Sequence, residues 1–357
     1  MYSRDEMNNR ATSSERSPRG TNSADRRRWS RRRFVATAGG FATAGLAGCL
    51  GGASDEDGAD VVASFFTFYD FARQVVDGTP VTVDNLVPTG LHGHGWEPDF
   101  GITSDIVEAD GFLHVGPDFQ PWADRAIETV QDDDADTHLI DAREGIELMD
   151  LPDTVDEDEQ VGEGKDPHFW LDPGLAKASV DNIVDGLVEI APDHEDAFVA
   201  NAADVKAELD EIDAEWEGIF DAAERKTVFL AAHNAFGYVG ERYGATIQPL
   251  VTNLAATDDV RPADMRRARE TIDDNDIQYI GAAIFEPRRP AQQLRESTDV
   301  EAYYPVTPYA GTKEEWVDRG WGYFEIARNI NMPTFRIVLE AMDPDGTEFD
   351  DEWQNFE

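Results

Sequence analysis

Cysteine is nearly absent from this 357-residue sequence, Cys49 being the only one. A single cysteine excludes an internal disulfide, so stability must come from the core and from solution conditions. Basic residues are scarce: 30 lysines and arginines face 74 acids, and ten of the former and four of the latter lie in the first 48 positions, leaving 20 against 70. Such a surface repels polyanions, which excludes nucleic acid as a partner. It suits concentrated salt, where screening removes the self-repulsion of the acids. A long apolar run is also missing, since the best candidate, residues 34–48, is fifteen Ala/Gly-rich positions, too few to span a bilayer permanently. Neither a phosphate-cradling glycine loop nor a Ser-His-Asp or His-Glu-x-x-His arrangement is recognisable.

What is present begins with a basic arm, ten arginines within residues 1–33. It ends in Ser30-Arg31-Arg32-Arg33-Phe34-Val35, a twin-arginine pattern, and the mild apolar run that follows closes on Leu46-Ala47-Gly48-Cys49. That tetrapeptide resembles a lipobox, in which the cysteine becomes the lipid-carrying first residue. Residues 1–48 therefore read as an export signal, Cys49 as the anchor to the outer face of the cell membrane, and residues 49–59 as a flexible tether containing Gly51, Gly52, Ala53 and Ser54.

Beyond the tether the chain alternates strand-like and helix-like periods. Strand signals at 61–66, 81–87, 112–115 and 138–142 are separated by helical spacing at 69–76, 102–109 and 121–130, which predicts an N-terminal α/β lobe over 60–191. The acidic stretch 150–165 interrupts it and reads as a solvated loop. Val205, Leu209, Ile212, Trp216 and Ile219 recur at intervals of three and four, so residues 192–225 are expected to form one long linking helix. The alternation then restarts and predicts a second α/β lobe over 226–342. A helix is expected over 314–330, then a further piece capped by Asn331 with Pro333 in its first turn, and an acidic tail over 343–357.

Seven histidines occur in the chain, and three share a context. His94 lies in a glycine-rich turn after a strand, His168 in Asp166-Pro167-His168 before a helix, and His233 at the end of the strand signal 227–232. Loops at the carboxyl edge of parallel sheets are where α/β folds collect ligands. Neutral imidazoles suit zinc and similar divalent ions, and three of them leave a fourth position for water or a carboxylate. Asp166, Asp172 or Glu97 is placed to accept the second imidazole proton, and Trp96, Phe169, Trp170 and Phe236 to keep the surroundings dry. His114, His138 and His194 lack this context, whereas His92, two residues from His94, stays open as an alternative.

These segments resemble the metal-binding solute-binding lipoproteins of ATP-driven (ABC) zinc and manganese importers. The resemblance runs from about Val61 to Ala341. Its first ligand loop, Pro-His-x-aromatic-Glu-Pro, is similar to Gly93-His94-Gly95-Trp96-Glu97-Pro98, which selects His94 over His92. Its second motif is reproduced from Asp166 to Pro173, and its third resembles His233-Asn234-Ala235-Phe236-Gly237-Tyr238. The resemblance implies two four-stranded α/β lobes joined by one long rigid helix, with an ion in the cleft held by His94, His168 and His233. It also implies capture of zinc, or alternatively manganese or iron, for an ABC permease and its ATPase, by a receptor that is no enzyme and works as a monomer. Where several members carry a ligating aspartate, this chain has Thr307, so water, His92, Glu97 or Glu286 remains for the fourth position. Three histidines and a neutral fourth site favour zinc over manganese. Two rival functions remain, a zinc-dependent hydrolase with Glu97 as its base and an anchored adhesin.

Overall fold

The computed structural model describes residues 58–93, 96–99, 101–151, 164–252 and 260–342. The expected export signal, the tether as far as residue 57 with Cys49, the centre of the acidic loop and the acidic tail lie outside these residues, and so does His94. The first four strands, β1 (Asp60–Ala63), β2 (Thr82–Asn85), β3 (Gly111–His114) and β4 (His138–Asp141), form a parallel sheet in the order β2-β1-β3-β4. Between them run α1 (Phe66–Val75), α2 (Ile102–Glu108) and α3 (Pro121–Asp132). β3 is buried along its whole length, as expected for a parallel strand covered on both faces.

A 3-10 turn (Phe169–Leu171) leads into α4 (Pro173–Ile190), and a second such turn (Pro192–His194) into α5 (Glu195–Asp221). The linking helix is thus shorter at both ends than its apolar period suggests, because Pro192 sets a tight turn before it. Its 27 residues span about 40 Å. The buried positions Phe198, Ala202, Val205, Leu209, Ile212, Trp216, Ile219 and Phe220 follow the helical period and form its inner stripe. Ion pairs flank the stripe: Lys177 to Asp210, Lys206 to Asp181, Arg242 to Asp213, and Arg328 to Glu208, Glu211 and Glu215.

The second sheet has the same plan, with β5 (Thr227–Ala231), β6 (Thr246–Pro249), β7 (Tyr279–Ala283) and β8 (Ala302–Val306) parallel in the order β6-β5-β7-β8. Its helices are α6 (Gly237–Tyr243), α7 (Pro262–Asp274) and α8 (Arg289–Ser297). The C-terminal region departs from the expected helix over 314–330. A short α9 (Glu314–Asp318) ends at Gly320, whose positive φ of 70° breaks the helix. After it come α10 (Tyr323–Ile326), a π-helical stretch (Ala327–Asn331) and α11 (Met332–Val338). Asn331 is not a cap. It lies inside the continuous π-to-α segment, and its amide is turned onto the backbone of Thr307, donating to its carbonyl at 2.8 Å and accepting from its N–H at 2.9 Å.

The largest apolar cluster crosses from lobe to lobe, joining Phe65, Phe68 and Trp170 to Tyr309, Tyr323 and Phe335 through the stripe of α5. Hydrogen bonds cross with it. Thr67 donates to Tyr309 O at 2.8 Å, the Trp170 indole to Pro308 O at 2.7 Å and the Tyr323 hydroxyl to Trp170 O at 2.9 Å. Tyr238 of α6 donates to Asp166 O and accepts from Met149 N. Among the described residues no helix is long and apolar enough to cross a membrane.

Candidate metal site

Four connections aim side chains at the carboxyl edge of the two sheets. The loop after β2 carries His92 and passes close to the second lobe, where Gly93 N–H donates to Ala310 O at 2.9 Å. A Cβ at position 93 would stand 2.9 Å from Ala310 O and from the Phe65 ring, so only glycine lets the loop approach this closely. His168 precedes the 3-10 turn that leads to α4, His233 follows β5, and Glu286 follows β7.

His168 and His233 are almost fully buried, with ring centroids 5.4 Å apart. The two are held alike. Asp166 Oδ1 accepts from His168 N–H at 2.9 Å and lies 2.8 Å from Nδ1. Glu286 accepts from His233 N–H at 3.2 Å and lies 2.6 Å from Nδ1. A carboxylate can only accept, so each Nδ1 carries the ring proton and each Nε2 presents a lone pair. Among the described residues the His233 Nε2 is buried with no hydrogen-bond partner, a costly state for an acceptor unless a ligand fills it.

The His92 ring stands 5.3 Å from His233 and 6.5 Å from Phe285. Phe119 and Trp170 wall His168 at 6.4 and 5.3 Å. Burial holds the His168 pKa below the ordinary imidazole value, with the neighbouring His233 acting in the same direction, against the opposing pull of Asp166. The ring is therefore kept in the neutral form that metal coordination requires. Among the described residues no group of three His, Cys, Asp or Glu side chains stands ready to hold an ion, so the edge has two paired imidazoles with His92 beside them rather than a closed donor set.

Several expectations are corrected. Asp172 receives no imidazole proton. It caps α4 by accepting from Gly174 and Leu175 N–H, and it pairs with Arg242. Glu97 is largely exposed and bonds Arg125 at 2.9 Å, and neither His168 nor His233 has it as the partner of its Nδ1. Glu286, considered for the fourth position, instead holds His233. It was the holder that sequence reasoning missed, although its place three residues beyond the end of β7 puts it at the same ligand-collecting edge. Thr307 is fully buried, and its hydroxyl accepts from Tyr309 N–H at 3.2 Å, so it is occupied in its own turn. His114, read as ordinary, is buried and accepts from Gly116 N–H.

The family model described as zinc-uptake complex component A, periplasmic, matches residues 61–332. The chain belongs to that family. Among its relatives is the high-affinity zinc uptake system protein ZnuA of Bacillus subtilis, 27% identical over 300 residues, which cover 83% of this chain and 91% of that one. Another is the zinc-binding lipoprotein AdcA of Streptococcus pneumoniae strain R6, 27% identical over 276 residues. This match covers 75% of the present chain but 53% of AdcA, so the chain spans about half of that relative. Among solved structures, the metal-dependent lipoprotein YcdH of Bacillus subtilis superposes with a TM-score of 0.66 at 25% identity, covering 78% of this chain and 98% of YcdH. In the zinc-uptake component family, then, the paired imidazoles of His168 and His233 lie within the matched region, as do Asp166, Glu286 and Thr307.

Proposed function

We propose that this protein is the extracytoplasmic receptor of an ABC-type importer, capturing zinc and delivering it to a membrane permease with its ATPase. The observation that carries the reading is the pair of buried imidazoles, each with Nδ1 committed to a carboxylate. Two lone pairs of Nε2 and two nearby negative charges suit a divalent cation that favours nitrogen donors. Zinc fits this better than manganese, which prefers more oxygen ligands, and the neutral Thr307 adds no oxygen anion. Membership of the zinc-uptake family and the relatives' names support the same cargo.

His94 is the proposed third ligand, from its register before Trp96-Glu97-Pro98, and water the fourth. His92 is the second reading for either place, favoured by its ring contact with His233. Export by the twin-arginine route, anchoring through lipid on Cys49 and action as a monomer complete the proposal. Membership of the zinc-uptake family speaks against the hydrolase reading. Metal analysis of the untagged protein in high salt tests the reading, with about one zinc per chain expected. Manganese as the retained ion, or no metal, would overturn it.

A further inference from the structure

The connection after β5 carries His233 and runs on into α6, so one segment of the second lobe holds a donor ring and then, in the first turn of α6, Tyr238. Tyr238 is buried, and its hydroxyl reaches into the first lobe, between two chain segments that meet just before His168. Residues 149–151 and 164–166 run antiparallel there, with Asp150 opposite Lys165. Leu151 N–H donates to Gly164 O at 2.9 Å, and Asp166 N–H to Met149 O at 2.9 Å. An ordinary ladder would complete the 149/166 pair with a second direct bond, from Met149 N–H to Asp166 O. The Tyr238 hydroxyl stands in place of that bond, accepting from Met149 N–H at 2.9 Å and donating to Asp166 O at 2.8 Å. A phenolic hydroxyl can do both at once. Burial pushes its pKa up, so it keeps the proton that it donates. The same helix also comes close to the carboxylate. A Cβ at Gly237 would stand 2.8 Å from Asp166 Oδ2, so the glycine leaves room for the group that grips His168.

We propose that Tyr238 is a positioning residue for the first-lobe donor: its hydroxyl fixes the backbone of Asp166, and through it the carboxylate that orients His168. This rests on the zinc-receptor reading and deepens it. The grip of Asp166 on His168 is local, but its placement then depends on a side chain of the second lobe. Without the hydroxyl, Met149 N–H and Asp166 O lose their shared partner, the 149/166 pair is free to close directly, and Asp166 shifts against the His168 ring.

Two variants of the full chain test it: Tyr238→Phe, which keeps the ring, and Gly237→Ala, which crowds Asp166 Oδ2 while removing no hydrogen bond. In the metal-free protein, imidazole nitrogen NMR should show His168 moving from its Nδ1-protonated tautomer toward a mixture in both variants, while His233, held by Glu286, keeps its own. That readout involves no zinc, so it decides the role of Tyr238 even if the zinc reading fails. In a chelator competition, Tyr238→Phe should weaken zinc binding about tenfold, the lower end of the range for supporting residues. The loss should persist in a Glu286→Gln background and shrink below about twofold in Asp166→Asn, where the grip is already broken. Should Tyr238→Phe melt below the assay temperature, Gly237→Ala carries the same readouts. An unchanged His168 tautomer, equal changes at His168 and His233, or a loss that adds fully to that of Asp166→Asn would each overturn the proposal.

Discussion

The two halves of the site do the same job by different routes. In the first lobe, His168 is gripped by Asp166, two residues away in the chain. In the second, His233 is gripped by Glu286, 53 residues away and on a different strand connection. Both carboxylates take a backbone N–H and an Nδ1 proton. One half is a local turn that forms with its own segment, whereas the other exists only once β5 and β7 have paired.

The severest break in this comparison is removal of a ring. His168→Ala and His233→Ala are each expected to weaken zinc binding by more than about 100-fold in a chelator competition, above the 10–100-fold range of supporting residues. Equal affinity in the His168→Ala variant would sink the site assignment. Made in parallel, His94→Ala and His92→Ala decide the third donor, with the large loss expected for His94.

Next come the grips themselves. Asp166→Asn and Glu286→Gln should each cost about 10–100-fold in zinc affinity, because an amide can offer the ring nitrogen a donor in place of an acceptor and so destabilise the useful tautomer. If Glu286→Gln left affinity unchanged, the second grip would be packing only.

A smaller effect is expected from pH. His168 and His114 both have pKa values lowered chiefly by burial. Their unfolded counterparts, near 6.5, therefore take up protons first. The stability of the metal-free protein should be fully present above about pH 6.5 and decline as pH falls below it, read as the urea midpoint between about pH 7.5 and 5. His114→Gln should flatten part of that slope, and a profile identical to the parent would remove His114 from the account.

The smallest effects test the corrected residues. Asp172→Ala should cost about 1 kcal/mol of stability through loss of the α4 cap, with zinc affinity unchanged. Glu97→Gln should leave both unchanged, since an exposed ion pair contributes about 0–1 kcal/mol.

The asymmetry of the two grips also explains what could be read in advance. Asp166 was legible because its partner sits two residues on, within one motif. Glu286 was visible only as an acid near the right edge, because its role depends on how β5 and β7 align. The alternating strands and the linking helix followed from periods of two and 3.6, but the ends of that helix did not, since Pro192 and the exit near Asp221 are decided by turn geometry. The C-terminal helix was misjudged for a related reason. Apolar spacing continues across Gly320 while the backbone does not, and Asn331 looked like a cap although its amide serves the distant Thr307. Glu97 and Asp172 were plausible by proximity along the chain, yet Arg125 and Arg242, 28 and 70 residues away, claim them.

The apolar cluster that runs unbroken from one lobe to the other has a consequence for how long the receptor survives. Because this largest cluster spans both lobes, the described body should melt as a single cooperative unit, so an ion bound at the proposed site would protect residues far from it. A ligand present at 1,000 times its dissociation constant adds about 4.1 kcal/mol to unfolding. Starved and loaded molecules would then differ in how fast proteases cut them, and turnover would itself register the supply of metal.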